Sequence, residues 1–254
     1  MLLKLYTQEE EGFICFEGEE KMTRLGLIIP SSNTIMESEF WKMIPEGFSV
    51  HTARLRLKEV TVEELELMER RVEDAALKLA DAEIDVVGYG CTSGSLFKGL
   101  GHDRSIEKMI ERATGVPAIT TAGAVVRALR TLNIKEVCVA TPYTDEINNL
   151  EAKFLSLSGL RVVDLKSLGM KKNLEIGRLS SEVAYKLVMG LEYAGADGVF
   201  ASCTNFATAD IIEKLERVTQ KRVVSSNTAT LWAMLKKCQV STEIKGFGSL
   251  LEKI

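Results

Sequence analysis

The chain has 254 residues, 46% of them hydrophobic and 27% charged, with a formal net charge of −4. That length buries a full core without staples, and the balance excludes disorder and fibrous repeats. Lys and Arg are scattered rather than clustered, which excludes nucleic acid as a partner, and no apolar run reaches the ~18 residues that cross a bilayer.

The first 22 residues, MLLKLYTQEEEGFICFEGEEKM, lack a signal-peptide layout and are patterned unlike the rest. They read as an N-terminal extension, or as sequence ahead of a start at Met22, with no function assigned; the protein is expected in the cytoplasm. From there on, short β-branched runs alternate with longer amphipathic segments. Strands are expected at 25–29, 48–53, 85–90, 116–121, 136–141, 161–165, 197–202 and 221–226. Helices are expected at 62–82, 105–114, 124–132, 144–159, 180–196 and 209–219, with a further helix ending near Cys238. This alternation specifies an α/β fold with parallel sheets.

The spacing of corresponding pieces carries more information than the pieces. Pro142 follows Pro30 by 112 positions, and Cys203 follows Cys91 and Asp197 follows Asp85 by the same interval. At that offset GLIIPSSNT lies over CVATPYTDE, and DVVGYGCT over DGVFASCT. The chain is therefore read as an internal duplication: two pseudo-symmetric lobes, each a parallel sheet flanked by helices, with the site in the cleft between them. The first lobe is expected to comprise 23–121 plus 227–254, the second 122–226.

Ligands of open α/β sheets bind outside the carboxyl ends of the strands, and both Cys91 and Cys203 fall there. Free cysteine is usually a small core hydrophobe, which is the reading for Cys138 within its strand and for Cys15 and Cys238. Cys91 and Cys203 differ because small polar residues flank each at a strand-to-helix turn and because they occur as a pair. A helix N-terminus or a nest of backbone N–H groups at such a turn is expected to lower a thiol toward neutrality. An odd count of five cysteines without a CxxC spacing argues against disulfides and, with only His51 and His102 present, against zinc. Ser31-Ser32-Asn33-Thr34 and Tyr143-Thr144 are turns whose donors can hold a carboxylate without arginine, although plain turn chemistry uses the same residues. GYGCTSG fails the dinucleotide fingerprint, because Ser93 stands where its third glycine belongs, and no P-loop occurs.

RLGLIIPSSNT, GYGCTSGS, ATPYTDE, KKNLEIGR, ASCTNF, SSNTATLWAML and GFGSLL together span residues 23–254. In combination they resemble the aspartate/glutamate racemase superfamily, and within it the maleate cis-trans isomerase and arylmalonate decarboxylase branch. The resemblance implies a two-lobed enzyme without cofactor or metal, usually a homodimer, whose two cysteines flank a small dicarboxylate. It assigns Cys91 as nucleophile and Cys203 as the opposing acid/base, with Asn33, Tyr143 and Asn173 on the substrate carboxylates and Thr92, Ser93 and Thr204 as further donors. Racemases of the superfamily read Cys-Asn-Thr at the first cysteine, where this chain reads Cys91-Thr92-Ser93-Gly94, and the decarboxylases lack the first thiol. Both departures imply cis-trans isomerisation of maleate to fumarate through a covalent cysteine adduct. The alternatives are a two-base Asp/Glu-type racemase, a malonate-type decarboxylase and a non-catalytic carboxylate-binding protein.

Overall fold

The computed structural model describes residues 22–252, so Cys15 and all but the last residue of the N-terminal extension lie outside it. In chain order the elements are β1 (Thr23–Pro30), α1 (Met36–Met43), β2 (Phe48–Leu55), α2 (Val62–Glu69), α3 (Val72–Ala80), β3 (Val86–Tyr89), α4 (Thr92–Leu96), α5 (His102–Thr114), β4 (Ala118–Thr120) and α6 (Thr121–Thr131). There follow β5 (Glu136–Thr141), α7 (Asp145–Leu157), β6 (Arg161–Ser167), α8 (Asn173–Ile176), α9 (Ser181–Met189), β7 (Gly198–Ala201), a 3-10 turn (Ala209–Ile211), α10 (Ile212–Thr219), β8 (Arg222–Ser225) and α11 (Ser226–Lys237).

The strands form two parallel four-stranded sheets, ordered β2-β1-β3-β4 and β6-β5-β7-β8. The repeat is visible at the level of single residue pairs. Leu25 pairs with Val86 and Ile28 with Tyr89; in the second sheet Val137 pairs with Gly198 and Ala140 with Ala201, each partner 112 positions on. The β1–β2 and β5–β6 pairings also correspond until a bulge between Val137 and Cys138 shifts the second by one residue. Central strands β1, β3, β5 and β7 are apolar and buried on both faces, as covered parallel strands must be. Edge strands β2 and β6 are half-exposed, which is why they carry polar residues such as His51, Asp164 and Lys166.

Helices α6 and α11 continue directly from the last strand of each sheet and pack on one another. Helix α11 also lies against β3 and β4, tying the end of the chain back to the first sheet. Gly88 permits this, since a Cβ there would sit 2.6 Å from Met234 Sδ on α11. A shared core that includes Phe40, Leu129, Phe154, Phe200, Leu231 and Met234 therefore runs through both lobes.

Three expectations need correction. The helix expected over 62–82 is two, because Arg71 at φ −109° and ψ 2° breaks it; α2 then buries Leu65 and Met68 while α3 starts anew to bury Val72, Ala76 and Leu79. The helix expected over 180–196 stops at Met189, ahead of Gly190 and of Gly195 at φ +76°. Helix α1 was missed, although Met36, Phe40 and Met43 are spaced to bury one face and Asn33 Oδ1 accepts the Ile35 and Met36 N–H groups at 3.0 Å.

Candidate active site

Each sheet delivers one cysteine at the carboxyl end of its third strand, but the two turns differ. After β3, Cys91 caps α4: its Sγ accepts from the Gly94 N–H at 3.3 Å, with Ser93 Oγ at 3.7 Å. After β7 no helix starts. Cys203 sits at φ +96°, a conformation strained for any residue with a side chain, and its Sγ accepts from the Asn205 N–H at 3.3 Å. The expectation of two strand-to-helix turns is therefore corrected for Cys203, which is followed by a tight turn closed by Phe206 N–H to Cys203 O at 3.2 Å.

Two hydrogen-bonded bridges hold the cysteines across the seam between lobes. Thr204 Oγ1, next to Cys203, donates to Gly90 O at 3.1 Å, next to Cys91. On the other side Thr92 Oγ1 meets Ser226 Oγ at 2.8 Å, and Ser226 Oγ accepts the Cys203 N–H at 3.0 Å. Asn33 Nδ2 donates to Thr204 Oγ1 at 3.0 Å. Tyr143 is buried near enough to Cys203 for its hydroxyl and the thiol to act on each other, and the charges of Cys91 and Cys203 would do the same. Asn173 is held one step further out, its Nδ2 donating to Ser32 Oγ at 2.9 Å and its carbonyl accepting Asn205 Nδ2 at 2.6 Å. All eight expected site residues thus lie in the buried region around the two cysteines, with Thr92, Cys203, Thr204, Asn33 and Asn173 joined by the hydrogen bonds just given.

Asn205 is among the small polar residues read from sequence as flanking Cys203, with no role given; Ser226, Glu39, Glu151 and Tyr89 were missed. Asn205 ties the lobes together through Thr34 N–H to its Oδ1 at 2.8 Å, and Ser226 forms half of one bridge. Glu39, on α1, accepts from the Thr208 and Ala209 N–H groups at 2.6 and 2.8 Å and from Asn227 Nδ2 at 2.6 Å. Glu151, on α7, accepts from Ser202 Oγ at 2.5 Å. Tyr89 leaves a buried hydroxyl without a partner beside Cys91. Only the two glutamates left a signal in the sequence: they stand at the repeat interval of 112.

The electrostatics correct another expectation. Burial pushes the Cys91 thiol up to about 11, against the Gly94 N–H and Ser93, and the Cys203 thiol up to about 12, against Tyr143 and the Asn205 N–H. One backbone donor per sulfur is too little to offset removal from water, so both buried thiols are protonated at neutral pH. Cys138, in contrast, is fully buried in β5 and donates to Glu192 O at 3.3 Å, a structural contact. His51 bonds Ser49 Oγ on the edge strand, and the His102 ring stands edge-on to Phe97 at 5.0 Å between centroids. Among the described residues no three His, Cys, Asp or Glu side chains come together to hold a metal, and no helix is long and apolar enough to cross a membrane.

The arylmalonate decarboxylase family model matches residues 25–251, nearly every described residue. The chain belongs to the arylmalonate decarboxylase family. Among its relatives, a maleate isomerase of Pseudomonas putida is 34% identical over 244 residues, covering 91% of this chain and 98% of that protein. The crystal structure of the maleate isomerase Iso from Pseudomonas putida S16, a cysteine-to-alanine variant with maleate, superposes with a TM-score of 0.88 at 31% identity, covering 91% of this chain and 98% of that one. A Nocardia farcinica maleate cis-trans isomerase, a cysteine-to-serine variant with a covalently bound succinylcysteine intermediate, superposes at 0.87 with 26% identity over 91% of this chain and 98% of that one. The two-sheet architecture is shared with these isomerase structures.

Proposed function

We propose that the protein is a cis-trans isomerase converting maleate to fumarate through a covalent adduct on Cys91. The observation that carries this reading is the pair of thiols, one from each lobe, clamped across one seam by Thr204–Gly90 and Thr92–Ser226–Cys203. Relatives that act as maleate isomerases, one of them caught as a succinylcysteine, support it.

In the proposed reaction Cys91 first releases its proton to solvent. The Cys91 thiolate attacks C2 of maleate; a carbon–sulfur bond forms, the double bond breaks, and its electron pair moves toward C3 and the adjoining carboxylate. Cys203 delivers its proton to C3. The C2–C3 bond is now single and rotates. The Cys203 thiolate then takes a proton from C3, the double bond re-forms and the Cys91–carbon bond breaks, leaving fumarate and the starting pair of sulfurs. Covalent catalysis here divides rotation about a locked bond into two easier steps. The carboxylate that gathers charge is received in this scheme by polar groups of the same buried cluster: Tyr143 and Ser93 beside the sulfurs, and Asn33 and Asn173 once their bonds to Thr204 and Ser32 are exchanged for the substrate.

The proposal includes catalysis without a cofactor, a cytoplasmic homodimer as the family resemblance implies, and lobes divided at 121/122 and 226/227. Fumarate should appear when the purified chain meets maleate, and Cys203→Ser should trap one substrate mass on Cys91, read by intact and peptide mass spectrometry. No fumarate from maleate and no methyl-substituted fumarate from methyl-substituted maleates, with no adduct, refutes the assignment. Deuterium exchange at Cα of aspartate or glutamate would establish the racemase instead.

A further inference from the structure

The repeat makes Cys91 and Cys203 equivalents, yet the proposed reaction, on which this inference rests, needs them to differ: one attacks bare and the other carries a proton. A second pair of repeat mates supplies the difference. Glu39 on α1 and Glu151 on α7 are also 112 positions apart, and both are buried, at 4% and 0% exposure. Glu39 is satisfied on both oxygens by Thr208, Ala209 and Asn227. Glu151 has only the Ser202 hydroxyl on Oε1, and its Oε2 has no partner.

The asymmetry follows from the two cysteine turns. After Cys203 the backbone stays irregular, so the Thr208 and Ala209 N–H groups are free to meet Glu39. After Cys91 the backbone coils into α4 and consumes its own donors, with Ser95 N–H on Cys91 O and Phe97 N–H on Ser93 O, both at 3.0 Å. Glu151 therefore faces a dry slot lined by Thr92, Leu96, Ala122, Val125, Phe154 and Phe200. Helices α4 and α6 and strand β7 present no titratable or charged side chain to that slot. The titratable groups that feel Glu151 are Cys203 and Tyr143, and Ser202, its hydrogen-bond donor, directly precedes Cys203 in the chain. Among the described residues no carboxylate acts in this way on Cys91.

We propose that Glu151 is a positioning residue for the Cys203 proton: when ionised, it keeps the one proton that the Cys91/Cys203 pair retains on the second-lobe sulfur and leaves Cys91 as the thiolate. The balance is simple. The pair gives one proton to solvent and keeps one, and a carboxylate charge behind Cys203 makes loss from Cys91 the cheaper choice. Burial raises the Glu151 carboxyl to about 7, opposed by the Ser202 bond, so its charge is present or absent within the neutral range.

The test needs no substrate. The full chain is treated with iodoacetamide from pH 6 to 8.5, and the rates at Cys91 and Cys203 are read separately by peptide mass spectrometry. Because both sulfurs lie in one seam, its opening cancels in the ratio. In the wild type the Cys91:Cys203 ratio should rise on the order of tenfold as Glu151 ionises. It should be flat in Glu151→Gln. In Ser202→Ala the rise should move to higher pH, because the bond that favours the carboxylate is gone. A flat wild-type ratio, or a Glu151→Gln curve like the wild type, overturns the proposal; should Glu151→Gln fail to fold, the wild-type and Ser202→Ala curves decide alone. A chain that shows the ratio but makes no fumarate sinks the isomerase reading and not this one, and a flat ratio in a chain that isomerises maleate does the reverse.

Discussion

Gly94→Ala should separate activity from stability. Gly94 lies in α4, and a Cβ built there would stand 2.9 Å from Cys91 Sγ, 2.8 Å from Tyr89 Oη and 2.9 Å from Met68 Cε. Ordinary contacts lie near 3.5–4.0 Å, so the neighbours must give by roughly 0.6 Å or more. Met68 is flexible and Tyr89 is unpartnered, but Cys91 cannot retreat without loosening the Gly94 N–H bond on its sulfur. Alanine gains up to ~1 kcal/mol in helix propensity, while overpacking costs about 1–3 kcal/mol, so the net loss is at most ~3 kcal/mol. For a chain of this size that lowers Tm by at most ~12 °C. A nucleophile misplaced by a sizeable fraction of an ångström should lower kcat about 100-fold. Fumarate formation and thermal unfolding on the same preparation provide the comparison. Wild-type kcat in Gly94→Ala would refute the claim that the glycine is there to seat the sulfur.

Cys91→Ser and Cys203→Ala should each reduce turnover about 1000-fold or more, whereas Cys138→Ala should turn over normally and lose about 1 kcal/mol by urea unfolding; equal activity in all three excludes the two-thiol scheme. Tyr143→Phe should lower kcat on the order of 100-fold with a smaller change in KM, because its hydroxyl meets Cys203 and the developing charge rather than the resting substrate; an unchanged kcat removes it from the donor set. Glu151 predicts a pH trend in stability. Its carboxyl is raised from 4.5 unfolded to about 7 folded, so the folded state binds more protons and its stabilisation, complete below pH 4.5, is lost as pH climbs to about 7. Relative to Glu151→Gln, the wild type should lose about 3 kcal/mol between pH 4.5 and 7.5, measured by urea unfolding; parallel stability curves for the two proteins would contradict a buried, titrating Glu151.

The 112-residue interval was legible because sheet register is a chain-level property: once β1 and β3 pair as they do, a copy of the same spacing pairs β5 and β7 in the same way. The alternation of apolar strands and amphipathic helices fixed the fold class for a similar reason, since covered parallel strands must be apolar throughout. Helix α1 was hidden because its eight residues are short and rich in charge, and its burial is decided by packing on α11. The role of Ser226 and the inter-lobe bond of Asn205 were invisible because a hydrogen bond across 134 or 171 positions leaves no local pattern, whereas Tyr89 was hidden because only packing brings its unpartnered hydroxyl beside Cys91.

By itself, then, the sequence showed which residue types recur and that they come in two copies: residue types and spacings are covalent facts, preserved whatever the chain packs against. Tertiary structure decided what the copies became. A five-residue helix after Cys91 and a strained turn after Cys203 direct backbone donors differently, leaving one repeat-related glutamate satisfied on both oxygens and the other on one. Burial then set the charge on every one of these groups, because the cost of leaving water depends on what surrounds an atom and not on its neighbours along the chain.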